Sequence, residues 1–133
     1  MYTKIIKSLG IIPYLDWIRE NNYSLKSPKH RGKYAEMAFL RYCKEQNIIP
    51  IRIDSMLQIS EQIPLHFLSK KQQKELEKIK LKLDYFCIEN NKGYFVDCRM
   101  GMSAAFAGKE LMENDVFLFR VFEDGEIFIK KIR

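Results

Sequence analysis

Hydrophobic and polar positions are patterned most informatively between Leu83 and Arg99. Two apolar runs rich in aromatic and β-branched residues flank the polar stretch Asn90-Asn91-Lys92-Gly93, which predicts a β-hairpin. Side chains alternate along a strand, so Asp84, Phe86 and Ile88 share one face, and Phe95, Asp97 and Arg99 share a face of the partner strand. A two-residue loop at Asn90-Asn91 would set Asp84 opposite Asp97; a loop at Asn91-Lys92 would set it opposite Arg99. Both registers gather Asp84, Asp97 and Arg99 on one face. A three-residue loop would separate them unless a bulge at the glycine restored the phase.

The strongest helical period runs from Gly32 to Gln46, where Ala35, Ala38, Phe39, Leu40, Tyr42 and Cys43 fall on one arc at 3.6 residues per turn. Glu36 lies inside that arc. A buried carboxylate needs a partner, and two readings stand side by side: a marginal ion pair with Lys33 or another base, or an acid turned towards a cation. Upstream, Thr3–Leu9 predicts a short helix ended by Gly10. A second helix is expected from Pro13 to Asn22, with an apolar side of Tyr14, Leu15, Trp17 and Ile18. The loop Ser24–Arg31 carries Lys26, Lys29, His30 and Arg31, a group able to hold phosphate or simply to be solvated.

Ile48–Ile53 reads as a strand, with Pro50 favouring a sheet edge. Asp54–Ser69 shows no period, and Ser69 is placed to cap a charged helix over Lys70–Lys80. After the hairpin, Ser103 opens a helix running to about Asn114 that is rich in small residues. Val116–Phe122 and Glu126–Ile132 complete the order as two strands. The whole predicts one α/β domain over residues 1–133, with a helical extension at 1–28 and an insertion at 54–80.

Composition changes this picture little. The chain has 133 residues, 47% of them hydrophobic and 13% aromatic, enough for a packed core rather than disorder. A net charge of +6 tilts the choice of partner towards a polyanion. Cys43, Cys87 and Cys98 form no C-x-x-C pair and are odd in number, so neither zinc nor a disulfide framework is expected, and a reducing, cytoplasmic setting fits best. No apolar run is long enough for a membrane span, and the first residues lack the features of a signal peptide. A Gly-rich phosphate loop is also missing, which argues against nucleotide hydrolysis and dinucleotide chemistry.

A helix with an inward Glu, a strand, an Asp on one arm of a hairpin, an acid-x-base on the other arm, then a helix and a strand: this order resembles the PD-(D/E)XK nuclease superfamily. The nearest likeness is to archaeal Holliday-junction resolvases and small restriction-like endonucleases. The matching pieces are Arg31-Gly32-Lys33-Tyr34-Ala35-Glu36, Leu83-Asp84-Tyr85 and Val96-Asp97-Cys98-Arg99, within a span from Lys29 to Phe122. The resemblance implies a restriction-endonuclease-like mixed sheet flanked by helices, with an αβββαβ core. It also implies Mg²⁺ or Mn²⁺ held by Asp84 and Asp97 with Glu36 as a third ligand, and DNA, branched or structured DNA included, as the substrate of a homodimer. Arg31, Lys33 and Lys29 would grip the backbone.

The chain departs from the motif in two places. Leu83 replaces the proline, and Arg99 stands where the family has a lysine. An arginine does not give up its proton in proteins, so Arg99 would orient water or stabilise charge, and Lys109 is a candidate to take the basic role and to contact nucleic acid. Two other readings follow: a catalytically degenerate protein that binds nucleic acid, and a small protein-interaction or inhibitor module using Tyr14, Trp17 and Tyr23.

Overall fold

Asn90 and Asn91 both adopt left-handed backbone, with φ of 52° and 63°, in the computed structural model of the chain. Two consecutive positive φ values are the signature of a type I′ turn, whose twist matches that of the strands it joins. The turn connects β3 (Tyr85–Glu89) to β4 (Lys92–Met100) and pairs Glu89 with Lys92 and Tyr85 with Val96. This is the loop of the first alternative, but the ladder ends at Tyr85–Val96, and the Asp84 N–H bonds the Val96 carbonyl at 3.2 Å rather than pairing with Asp97. The structure describes residues 3–6, 9–54, 56–77, 83–102 and 113–133.

The hairpin lies inside a six-stranded mixed sheet ordered β1-β6-β5-β4-β3-β2. The other strands are β1 (Thr3–Ile6), β2 (Ile49–Arg52), β5 (Val116–Val121) and β6 (Ile127–Lys131). All neighbours are antiparallel except β4 and β5. A parallel pair needs a crossover connection, here residues 101–115. The helix expected from Ser103 to Asn114 falls largely at 103–112, outside the described residues. Pro50 sits on edge strand β2, where its missing N–H costs no ladder bond.

The N-terminal helix expected over Thr3–Leu9 is not formed. Thr3–Ile6 instead adds a strand to the open edge of β6, because the β-branched Thr3, Ile5 and Ile6 suit a strand when a partner edge is available. The extension therefore contributes one strand, β1, and one helix, α1 (Tyr14–Glu20). Tyr14 N–H is bonded to the Glu123 carbonyl at 2.8 Å, which ties α1 to the turn between β5 and β6.

Helix α2 (Lys29–Gln46) starts three residues earlier than its period suggests, Pro28 being suited to a helix entrance. Lys29, His30 and Arg31 thus belong to its first turn rather than to a loop. Tyr34, Ala35, Ala38, Phe39 and Cys43 pack against Tyr85, Cys87, Val96, Cys98 and Phe119 on one face of the sheet. Leu40, placed in the same arc by periodicity, is 44% exposed. The opposite face is covered from the 54–77 segment. There α3 (Ile59–Gln62), a 3-10 turn at Leu65–Phe67 and α4 (Lys70–Glu77) bring Ile63, Leu68 and Leu76 onto Phe86, Phe95 and Val116. Ser69 caps α4 through its bond from the Gln72 N–H at 3.0 Å. Residues 78–80 of the expected helix lie outside the described residues.

Candidate functional site

The site is built from the end of the hairpin furthest from its turn. Asp84 enters just before β3, and its Oδ2 accepts the Cys98 backbone N–H at 2.7 Å. Asp97, on β4, is fully buried. The two carboxyls are close enough to hydrogen-bond each other. Arg99, two residues further along the same face, brings Nε to 2.9 Å from Asp97 Oδ1. Alternation puts all three on the side of the sheet away from α2. Cys98, between the two motif residues, turns to the α2 side and joins the core, as expected.

Burial dominates the electrostatics. It pushes the Asp84 carboxyl up to about 6, with the Asp97 charge and hydrogen bond adding to the rise while the Cys98 N–H and Arg99 oppose it. Two adjoining carboxyls in this setting favour sharing one proton or one cation. The Cys98 thiol is driven well up by its own burial and by the nearby acids, so it is a packing group and not a nucleophile.

Glu36 does not join these acids. Its Oε1 lies 3.3 Å from Arg52 Nε and 3.5 Å from the Tyr85 hydroxyl, on the α2 side of the sheet. The marginal ion pair foreseen for Glu36 is thus present, with Arg52 of β2 rather than Lys33 as the base. Arg52 is 73% exposed, so the pair contributes little to stability. Among the described residues, no three acidic, histidine or cysteine side chains are grouped so as to hold a metal ion. The oxygen donors of Asp84 and Asp97 suit Mg²⁺ or Mn²⁺ as a two-carboxylate site completed by water. The donor set fits such an ion without Glu36.

The basic candidates are spread over α2. Arg31 Nη1 lies 3.4 Å from Glu123 Oε1, and its guanidinium is 5.9 Å from the Tyr14 ring centre. Lys33 Nζ sits 5.4 Å from the centre of the Tyr23 ring. Lys29 is exposed at the start of the helix, and Lys109 lies outside the described residues. Sequence reasoning missed the two neighbours of Glu36, Arg52 and Tyr85. The alternation of β2 was the signal for Arg52, since the residue after Ile51 points back towards α2.

A cavity of about 380 Å³ opens at the other end of the sheet, between α2 and the hairpin turn. Its walls include Tyr42, Tyr94, Phe117 and Glu89, and none of the Asp84–Asp97–Arg99 group lines it. No protein-family model, curated protein or solved structure matches this chain. No helix among the described residues is long and apolar enough to cross a membrane.

Proposed function

We propose that the protein is a metal-dependent endonuclease of the PD-(D/E)XK kind, acting on the phosphodiester bonds of DNA. The observation that carries this reading is the gathering of Asp84, whose Oδ2 is bonded by the Cys98 N–H, beside buried Asp97 with Arg99 against Asp97. Supporting it is the element order α2-β2-β3-β4 followed by β5 parallel to β4, the arrangement an αβββαβ core requires of its strands.

In this reading Asp84 and Asp97 would hold a divalent ion, which would supply Lewis-acid assistance to phosphodiester hydrolysis. Asp97 also orients Arg99. Arg99 keeps its proton and acts as a fixed positive charge that stabilises developing negative charge on the phosphoryl oxygens. It cannot serve as general base, so proton removal falls to solvent. A second copy of the chain would supply the second site needed to cut both strands, and this element rests on the resemblance alone.

The test is cleavage of linear, single-stranded, flapped and four-way-junction DNA with Mn²⁺, comparing the natural protein with Asp97→Asn. Cutting that requires metal and disappears in the variant is the expected result. A protein that binds DNA in chelator, binds equally well as Asp97→Asn and cuts none of the panel would be a non-catalytic nucleic-acid binder. That second reading is favoured by the single ion pair that already engages both Asp97 and Arg99.

A further inference from the structure

Arg120 is the one charge in the run Val116–Val121, whose other residues are all apolar. Its placement is specific. The parallel register pairs Arg120 of β5 with Arg99 of β4, one step beyond the pairing of Leu118 with Asp97. Paired residues on neighbouring strands point to the same face, and strands lie ~4.8 Å apart. Arg99 and Arg120 therefore stand side by side next to the two carboxylates.

The end of β4 is shaped around these guanidiniums. Arg120 Nη1 donates to the Gly101 carbonyl at 2.7 Å, which fixes the direction of its fork. Gly101 has φ +64°, and a Cβ there would lie 3.3 Å from Arg31 Nη2, so Arg31 approaches the same residue from α2. Three arginines from α2, β4 and β5 thus converge at one end of the sheet. Arg99 and Arg31 keep 36% and 44% of their side-chain surface exposed. Planar forks of this kind match phosphate oxygens in bidentate fashion.

We infer that Arg99 and Arg120, with Arg31 at the rim, form the seat for the phosphodiester backbone of a nucleic acid, beside Asp84 and Asp97. The inference deepens the nuclease reading and rests on it for the class of substrate. The arginines span three separate elements at a sheet end, and the described cavity lies at the other end. An extended polyanion suits that layout better than a small enclosed phosphate.

The experiment measures binding of a short labelled DNA duplex by anisotropy in EDTA, so that no step depends on metal or on cutting. Arg120→Gln is expected to bind about tenfold more weakly and to lower the slope of log K against log salt by about 0.9, the loss of one phosphate contact. Lys44→Gln removes the same charge near the other end of α2 and is expected to change affinity less than about twofold. Arg120→Lys keeps the charge but not the fork, so it should retain the slope and bind about threefold more weakly. It decides the matter if thermal melting shows Arg120→Gln unfolded.

Wild-type affinity in Arg120→Gln, or in Arg120→Lys where the first variant is unfolded, overturns the inference; metal-dependent cutting by the same protein would leave the nuclease reading intact. A natural protein that cuts with Mn²⁺ but does not bind duplex in EDTA overturns it likewise. Displacement of DNA by inorganic phosphate beyond the effect of chloride at equal ionic strength would overturn a polynucleotide as the occupant.

Discussion

The two faces of the β3–β4 hairpin differ in what they present. On the α2 side, Tyr85, Cys87, Val96 and Cys98 meet Ala35, Ala38, Phe39 and Cys43 in a continuous apolar contact. On the other side, Phe86 and Phe95 are covered by Ile63, Leu68 and Leu76, but Asp84, Asp97 and Arg99 follow them along the same strands. A one-residue slip would exchange the faces completely. The type I′ turn at Asn90-Asn91 forbids that slip. One face is thus apolar along the hairpin, while the other is apolar near the turn and carries the polar group at its far end.

Truncating the apolar face gives the largest effect. Phe119, 1% exposed and edge-on to Phe39 at 5.0 Å, should cost about 3–5 kcal/mol of stability as Phe119→Ala, read as the urea midpoint. A loss below about 1 kcal/mol would show that the α2 face collapses around the gap and is not the rigid side. Next comes Gly93→Ala. A Cβ at Gly93 would run into the Phe86 ring and lie 3.0 Å from Phe67, so a loss of about 1–3 kcal/mol is expected.

Asp84 provides a pH test of the polar face. Its folded pKa of about 6 stands above the unfolded value of 3.8, so the native state holds the extra proton and is favoured at low pH. Stability from this group is present below about pH 4 and is lost as pH rises through 6, by at most about 3 kcal/mol before solvent screening reduces it. Asp84→Asn should remove that loss and melt higher than the natural protein at pH 8 without metal. Equal melting at pH 8 would show that the carboxyl is not strained by burial. Mn²⁺ should raise the melting temperature of the natural protein and leave Asp97→Asn almost unmoved, an effect that grows from pH 5 to 7 as Asp84 gives up its proton. The smallest effect belongs to Arg52→Ala, expected within about 0.5 kcal/mol because Arg52 is 73% exposed where it meets Glu36.

Local pattern carried the sequence reading where the physics is local. Periodicity found α2, and the hairpin's alternation brought Asp84, Asp97 and Arg99 together without any knowledge of the sheet. β1 escaped because four residues have no period of their own, and the edge of β6, more than a hundred residues away, decides their conformation. The partner of Glu36 escaped for a related reason: Arg52 comes from a strand whose approach to α2 depends on the packing of the sheet. Arg120 was passed over in a strand read as apolar, and its neighbour Arg99 follows only from the parallel register. Leu40 shows the opposite failure, since an apolar residue at the rim of an arc remains in solvent when no element arrives to cover it.

The segment over 54–77 resembles a removable insertion, yet it is fastened where the chain enters β5. The Gln72 side-chain carbonyl accepts the Glu113 N–H, Ser69 Oγ donates to the Glu113 carboxylate at 2.5 Å, and Asn114 Nδ2 reaches the carbonyls of Phe67 and Gly93 at 3.0 and 3.3 Å. These partners are far apart in sequence, so the segment's closure draws on the entry to β5. The expected order in pulse-labelled refolding is the α2 face and the hairpin first and 54–77 last. In hydrogen exchange the same segment should open first, as a unit, baring Phe86 and Phe95 while the α2 face stays shut.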